Sequence, residues 1–132
     1  MIPLDTLVVP LVVISMDENM IEDYSVSIDD ILDFEEKYGR IQKNCFIMVH
    51  TGWSKYWDQP KKYHNNYLFP SVSKEVANLL ISRKIVGLGI DTLSPDLPSS
   101  GFPVHDIILK NQKYIVENVA NIEKCPKQGL MF

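Results

Sequence analysis

Apolar residues come in short dense runs, separated by longer polar or turn-rich stretches. "LVVPLVVI" (Leu7–Ile14) is continuous and rich in β-branched side chains, so it reads as a buried strand, with Pro10 pointing to an edge or a bulge. "SIDDILDFEEKYG" then carries helix signals. Ser27 suits an N-cap, Asp30 stands three residues on as in a capping box, and Gly39 closes the segment. Ile28, Ile31 and Leu32 are expected to share its buried face. "CFIMVH" (Cys45–His50) reads as a second strand running into the loop "TGWSKYW".

Between Asp58 and Pro70, "DQPKKYHNNYLFP" mixes polar and aromatic residues without a clear period and is expected to be an ordered loop. "SVSKEVANLLISRK" predicts a helix whose apolar stripe is Val72, Val76, Leu79 and Leu80. "IVGLGI" (Ile85–Ile90) is apolar throughout, as expected of a strand buried on both faces. After the turn-rich "DTLSPDLPSSGFP", "VHDIILKNQ" predicts a short helix and "YIVEN" a short strand. Strands alternating with helices predict an α/β fold with one domain over residues 1–132. The chain opens on a core strand and ends on apolar "GLMF", which predicts a domain incomplete at both ends or one that leans on a partner.

Composition narrows the classes. With 45% hydrophobic residues among 132, the chain can bury a sizeable core. The net charge of −4 argues against a general nucleic-acid binder. The ten acidic residues up to Glu36, with no Lys or Arg among them, predict an acidic surface helix. Cys45 and Cys125 form no Cys-x-x-Cys pair and are too few for a disulfide framework, and Cys45 reads as a small core residue. The N-terminal apolar run is too short to span a bilayer and lacks a basic flank. The expectation is a cytoplasmic protein with no membrane or nucleic-acid partner.

Candidate chemistry concentrates late in the chain. His105 and Glu117 stand twelve residues apart in an otherwise apolar stretch. A helix of about eight residues rises roughly 12 Å and a four-residue strand covers roughly 13 Å, so a chain reversal between them allows the two side chains to meet. A neutral imidazole and a carboxylate at a strand end can share a divalent metal. A surface His and a solvated Glu fit the spacing equally. Trp53, Tyr56, Trp57, Tyr63, Tyr67 and Phe69 either line an aryl pocket or pack on one another within the loop. Asp91 follows a buried strand at its C-terminal end, where it serves either a ligand or a turn. His64, beside Asn65 and Asn66, reads as a solvated loop residue.

"HTGWSKYW", "FPSVSKEVANLLISRKIVGLGIDTLSPD" and "FPVHDIILKNQKYIVENVANIEKCP" together resemble the cyclase-type metal-dependent hydrolases, the family of bacterial kynurenine formamidase and isatin hydrolase. The resemblance implies a swivelling β/β/α architecture with a mixed sheet. It implies metal-activated water attacking an amide or formamide carbonyl, with zinc or manganese as the metal and a homodimeric assembly. It places metal ligands at His105 and Glu117. Trp53, Trp57 and Asp91 are expected near an aryl-amide or formamide substrate. The family's His-x-x-x-His-x-Asp-x-x-x-His cluster, which holds its first metal and its catalytic His, has no counterpart here: the histidines are His50, His64 and His105, in none of that spacing. No catalytic residue is therefore assigned, and weak or absent hydrolysis is expected of this chain alone. A non-catalytic remnant serving binding or dimerisation is the alternative, and a metal-free domain binding an aromatic ligand a third reading.

Overall fold

The computed structural model describes residues 9–16, 24–119 and 128–131. Five strands form the main sheet: β1 (Val9–Ser15), β3 (Phe46–His50), β5 (Gly87–Ile90), β6 (Tyr114–Val116) and β7 (Gln128–Met131), in the order β6-β5-β3-β1-β7. The first four run parallel and β7 is antiparallel to β1, so the sheet is mixed and the α/β expectation holds. Helices α1 (Ile28–Tyr38), α3 (Lys74–Ser82) and α4 (Pro103–Lys110) connect successive parallel strands. The short α2 (Pro60–His64) sits in the connection after β3.

The twofold period of the strands sorts their side chains onto two faces. Val12, Ile14, Ile47, Val49, Leu88 and Ile90 face α1, α3 and α4, where Ile31, Val76, Leu80, Val104 and Ile108 close the main core. Val9, Leu11, Val13, Phe46 and Met48 face the other way and are also buried. On that second face, Gly87 and Gly89 leave room for the Phe46 ring. A Cβ at Gly89 would lie 2.8 Å from the ring, and one at Gly87 2.9 Å from it. Tyr114 stacks beside Phe46 with centroids 5.5 Å apart, continuing the same layer.

A second, two-stranded parallel sheet joins β2 (Ser25–Val26) to β4 (Ser71–Val72). It brings two helix starts side by side, because Ser27 caps α1 and Ser73 caps α3. The Ser27–Asp30 capping box is present and Gly39 closes α1 at φ 99°, both as the sequence predicts.

Four expectations need correction. In α1 the buried residues are Ile31 and Phe34, whereas Ile28 and Leu32 are exposed. The Glu35 carboxylate grips Arg83 through Nε and Nη2, at 3.0 and 2.8 Å, and also accepts the Ile41 N–H. That three-way contact fixes the helix rotation, and Arg83 holds the Glu35 carboxyl below its ordinary value. In α3, Val76 and Leu80 are buried as expected, but Ala77 joins them, Leu79 is half-buried and Val72 belongs to β4. Pro10 is not at a sheet edge, since β1 lies between β3 and β7; it precedes the β3 pairing, which starts at Leu11, so its missing N–H breaks no rung there. Residues 58–70, expected to be an ordered loop, instead hold α2 and a 3-10 turn (Asn65–Tyr67).

The first described strand pairs with the last, Val9 opposite Met131. Cys45 is fully buried, which raises its thiol pKa to about 11, while Cys125 lies outside the described residues. No helix among the described residues is long and apolar enough to cross a membrane.

Gly89→Ala is expected to lower stability by about 1–3 kcal/mol through overpacking. In thermal unfolding, the Gly89→Ala/Phe46→Leu double variant should lose less than the sum of the two single losses, because the shorter side chain frees the space. Additive losses would show that the ring and the glycine do not compete.

Candidate metal centre

Pro103 at the first helical position presets the start of α4, but the helix has no capping side chain of its own. Its N-cap is Phe102, an aromatic residue held in the left-handed region at φ 60° and ψ 47°. The cap comes from outside. Asp96 is 2% exposed, and its carboxylate accepts the Val104 N–H at 2.9 Å and the His105 N–H at 2.7 Å. The same carboxylate stands 2.9 Å from His105 Nδ1. One buried acid therefore starts the helix and orients the imidazole on it.

The other ring nitrogen faces β6. His105 Nε2 lies 2.7 Å from Glu117 Oε1. Glu117 follows the last residue of β6, and the turn beyond it is tied back to the sheet by Asn118 N–H to Thr92 O and Val119 N–H to Ile90 O. The helix-then-strand return expected of the sequence thus brings the two side chains together. With Nδ1–H committed to Asp96, Nε2 offers a lone pair to a carboxylate oxygen that also offers lone pairs. Two acceptors 2.7 Å apart need a shared proton or cation between them. Both side chains stay partly accessible, 26% for His105 and 32% for Glu117. Beside His105 opens a groove of roughly 500 Å³, walled by Phe102 and Leu109 with Lys110 at its margin. Phe102 is 44% exposed and meets the imidazole edge-on at 5.6 Å.

The remaining candidates lie elsewhere in the architecture. Asp91 is fully buried and accepts from Thr51 N–H at 3.0 Å, Thr51 Oγ1–H at 2.6 Å and Gly52 N–H at 2.9 Å. It clamps the end of β3 to the end of β5. Trp53 is buried, its Nε1–H donating to Tyr63 O at 2.8 Å. Trp57 is exposed and packs edge-on against Tyr63. His64 stacks near Tyr67 at 4.1 Å, and His50 approaches Ser15. Among the described residues no group of three or more His, Cys, Asp or Glu side chains converges on one point.

The capping role of Asp96 and the hydrogen bonds of Tyr63, which the sequence placed only among the loop aromatics, escaped the sequence reading. Asp96 had a signal: a helix beginning "FPVH" lacks a local cap, so a distant acceptor was required. Tyr63 had none, because its partners are 28 and 55 residues away.

The sequence matches the Cyclase family over residues 1–97. The chain belongs to that family. It is 24% identical over 116 residues to isatin hydrolase from Roseibium aggregatum, covering 81% of this chain and 44% of that protein. Isatin hydrolase A from Labrenzia aggregata, solved bound to benzyl benzoate, superposes with a TM-score of 0.89 at 26% identity, over 97% of this chain and 54% of that one. A chain from Bacillus stearothermophilus described as a predicted metal-dependent hydrolase gives a TM-score of 0.72 at 25% identity, over 97% and 55%. This cyclase-family chain spans about half the length of the relatives it matches.

Asp96→Ala leaves two helix N–H groups and Nδ1–H without their acceptor, which should cost about 2–3 kcal/mol in urea unfolding. The His105 ring should also populate both tautomers in nitrogen NMR. A variant of unchanged stability with a single tautomer would show that the cap and the orientation come from another group.

Proposed function

We propose that this chain contributes His105 and Glu117 to the metal centre of a hydrolase acting on a cyclic or aryl amide. The observation that carries the reading is the 2.7 Å approach of His105 Nε2 to Glu117, with Nδ1 held by Asp96. That arrangement leaves an imidazole lone pair and a carboxylate free for one divalent ion, and a carboxylate on the far ring nitrogen is the usual support of a metal-bound His. The likeness to an isatin hydrolase and to a protein described as a metal-dependent hydrolase supports the same reading. Zinc is the first candidate and manganese the second.

A bound divalent ion supplies Lewis acidity and lowers the pKa of a water molecule. The chain's own residues do the rest. Asp96 fixes the plane of the imidazole, and Glu117 sets negative charge beside it. Phe102 and Leu109 wall the neighbouring groove with apolar surface suited to an aryl group, leaving the amide end toward His105. Isatin fits this class, and an aryl formamide of the N-formylkynurenine type is the narrower alternative. Two ligands leave a divalent ion open at several positions, so further donors must join them in the working enzyme.

One observation favours a second reading. The lack of a three-ligand group among the described residues suits a domain that binds or dimerises without catalysis. A His-x-x-x-His-x-Asp cluster in coding sequence directly upstream would favour the enzyme. We further propose a homodimer, supported by the exposed aromatic rings of Trp57 and Tyr67 in the segment after β3. Sedimentation at tens of micromolar should show a dimer, and a well-behaved monomer would refute it.

In titration calorimetry, zinc or manganese is expected to bind the chain weakly, and at least tenfold more weakly after Glu117→Gln or His105→Ala. Turnover of isatin or N-formylkynurenine by the isolated chain should be weak or absent. Equal metal binding by wild type and both variants would reject the ligand assignment, and brisk metal-dependent turnover would reject the half-site.

A further inference from the structure

Glu117 lies just past the end of β6, and the two residues after it bond back to β5 and its following turn through Val119 N–H to Ile90 O and Asn118 N–H to Thr92 O. β6 has three residues, lies at one end of the described sheet order and pairs only with β5. Tyr114 and Ile115 are half-buried and Val116 is exposed, so packing alone anchors this strand weakly. Glu117 lies beyond the pairing, and the next residue, Asn118, turns the chain in the left-handed region at φ 57°. Those backbone bonds fix the chain beside Glu117, and a side-chain contact on Asn118 adds to them in holding the carboxylate 2.7 Å from His105.

Tyr63 supplies one. Its side chain is 6% exposed, and its hydroxyl lies 2.9 Å from Asp91 O and 3.0 Å from Asn118 Oδ1. One O–H donates to one acceptor at a time. With the Asn118 amide turned over, its NH2 donates to the phenol oxygen while the phenol donates to Asp91 O, and both contacts are satisfied at once. The Tyr63 backbone is fixed in turn by the Trp53 indole N–H, and its ring by Trp57 at 5.5 Å. Burial, with Asp91 and Glu117 nearby, pushes the phenol pKa up, so it remains a donor. The aromatic segment thus reaches across the end of the sheet to the turn that carries Glu117.

We propose that Tyr63 is a positioning residue for the His105–Glu117 pair, acting through the Asn118 turn. The proposal rests on the metal-centre reading for its consequence in metal affinity, but the positioning itself can be measured without metal. Tyr63→Phe removes one oxygen and keeps the ring packing. In the metal-free full chain, the His105 Nε2 nitrogen shift of Tyr63→Phe should move toward that of Glu117→Gln, which marks the contact as lost. Asn118→Gly keeps the left-handed turn, removes the amide and should move the shift alike, with no further change in the double variant. Glu35→Ala, which loses the ion pair with Arg83 at the opposite end of the parallel strands, should lower the unfolding temperature and leave the shift unmoved. With zinc added, Tyr63→Phe should weaken binding about tenfold relative to wild type, the lower end of the range for groups that support a ligand. A wild-type His105 shift in Tyr63→Phe overturns the proposal. If the shift moves while wild type and Glu117→Gln bind zinc equally, the positioning stands and the metal reading fails.

Discussion

A buried carboxylate must be met by donors, and the way Asp96 is met organises this end of the molecule. It takes the two N–H groups that open α4 and the Nδ1 side of the imidazole in the first turn of that helix. Where the helix starts, how Phe102 is bent to allow it and which nitrogen faces β6 are consequences of one acid placed nine residues before His105. The contacts reinforce one another, because a helix N-terminus lowers the cost of negative charge and the charge fixes the helix start.

A second buried acid does related structural work. Asp91 ties the Thr51–Gly52 turn to the end of β5, and its own carbonyl receives Tyr63. The two acids belong to the same connection after β5, one facing the aromatic segment and the other facing α4. The rigid framework of the site therefore lies at the carboxyl ends of the parallel strands, where open α/β sheets present their functional groups.

Much of the scaffold was legible in the sequence. The strands announce themselves because both of their faces are buried, and the capping signals of α1 act over three residues. Helix and strand lengths allowed His105 and Glu117 to meet, and the resemblance to the cyclase-type hydrolases favoured that over a solvated pair. What escaped depends on longer reach. Ile28 and Leu32 compete with Ile31 and Phe34 for the buried side of α1, and the ion pair of Glu35 with a residue 48 positions away decides between them. The five-residue α2 is too short to show a period, and its Tyr63 matters through partners in other segments. Asp96 looks like any turn-forming aspartate until α4 is seen to lack a cap. No rule of period or propensity links Val9 to Met131.

That last pairing has a kinetic side. β1 is translated before every other described strand and β7 after all of them, yet they are neighbours in the sheet. The parallel pairs can assemble stepwise as α1, α3 and α4 close over them, but the outer flank of β1 stays without its β7 partner until residues 128–131 have left the ribosome. Pairings of such long separation form slowly, since the loop must close before the contact stabilises it. During that interval the chain presents an apolar strand edge to its neighbours, the moment at which β-rich intermediates are most prone to associate wrongly.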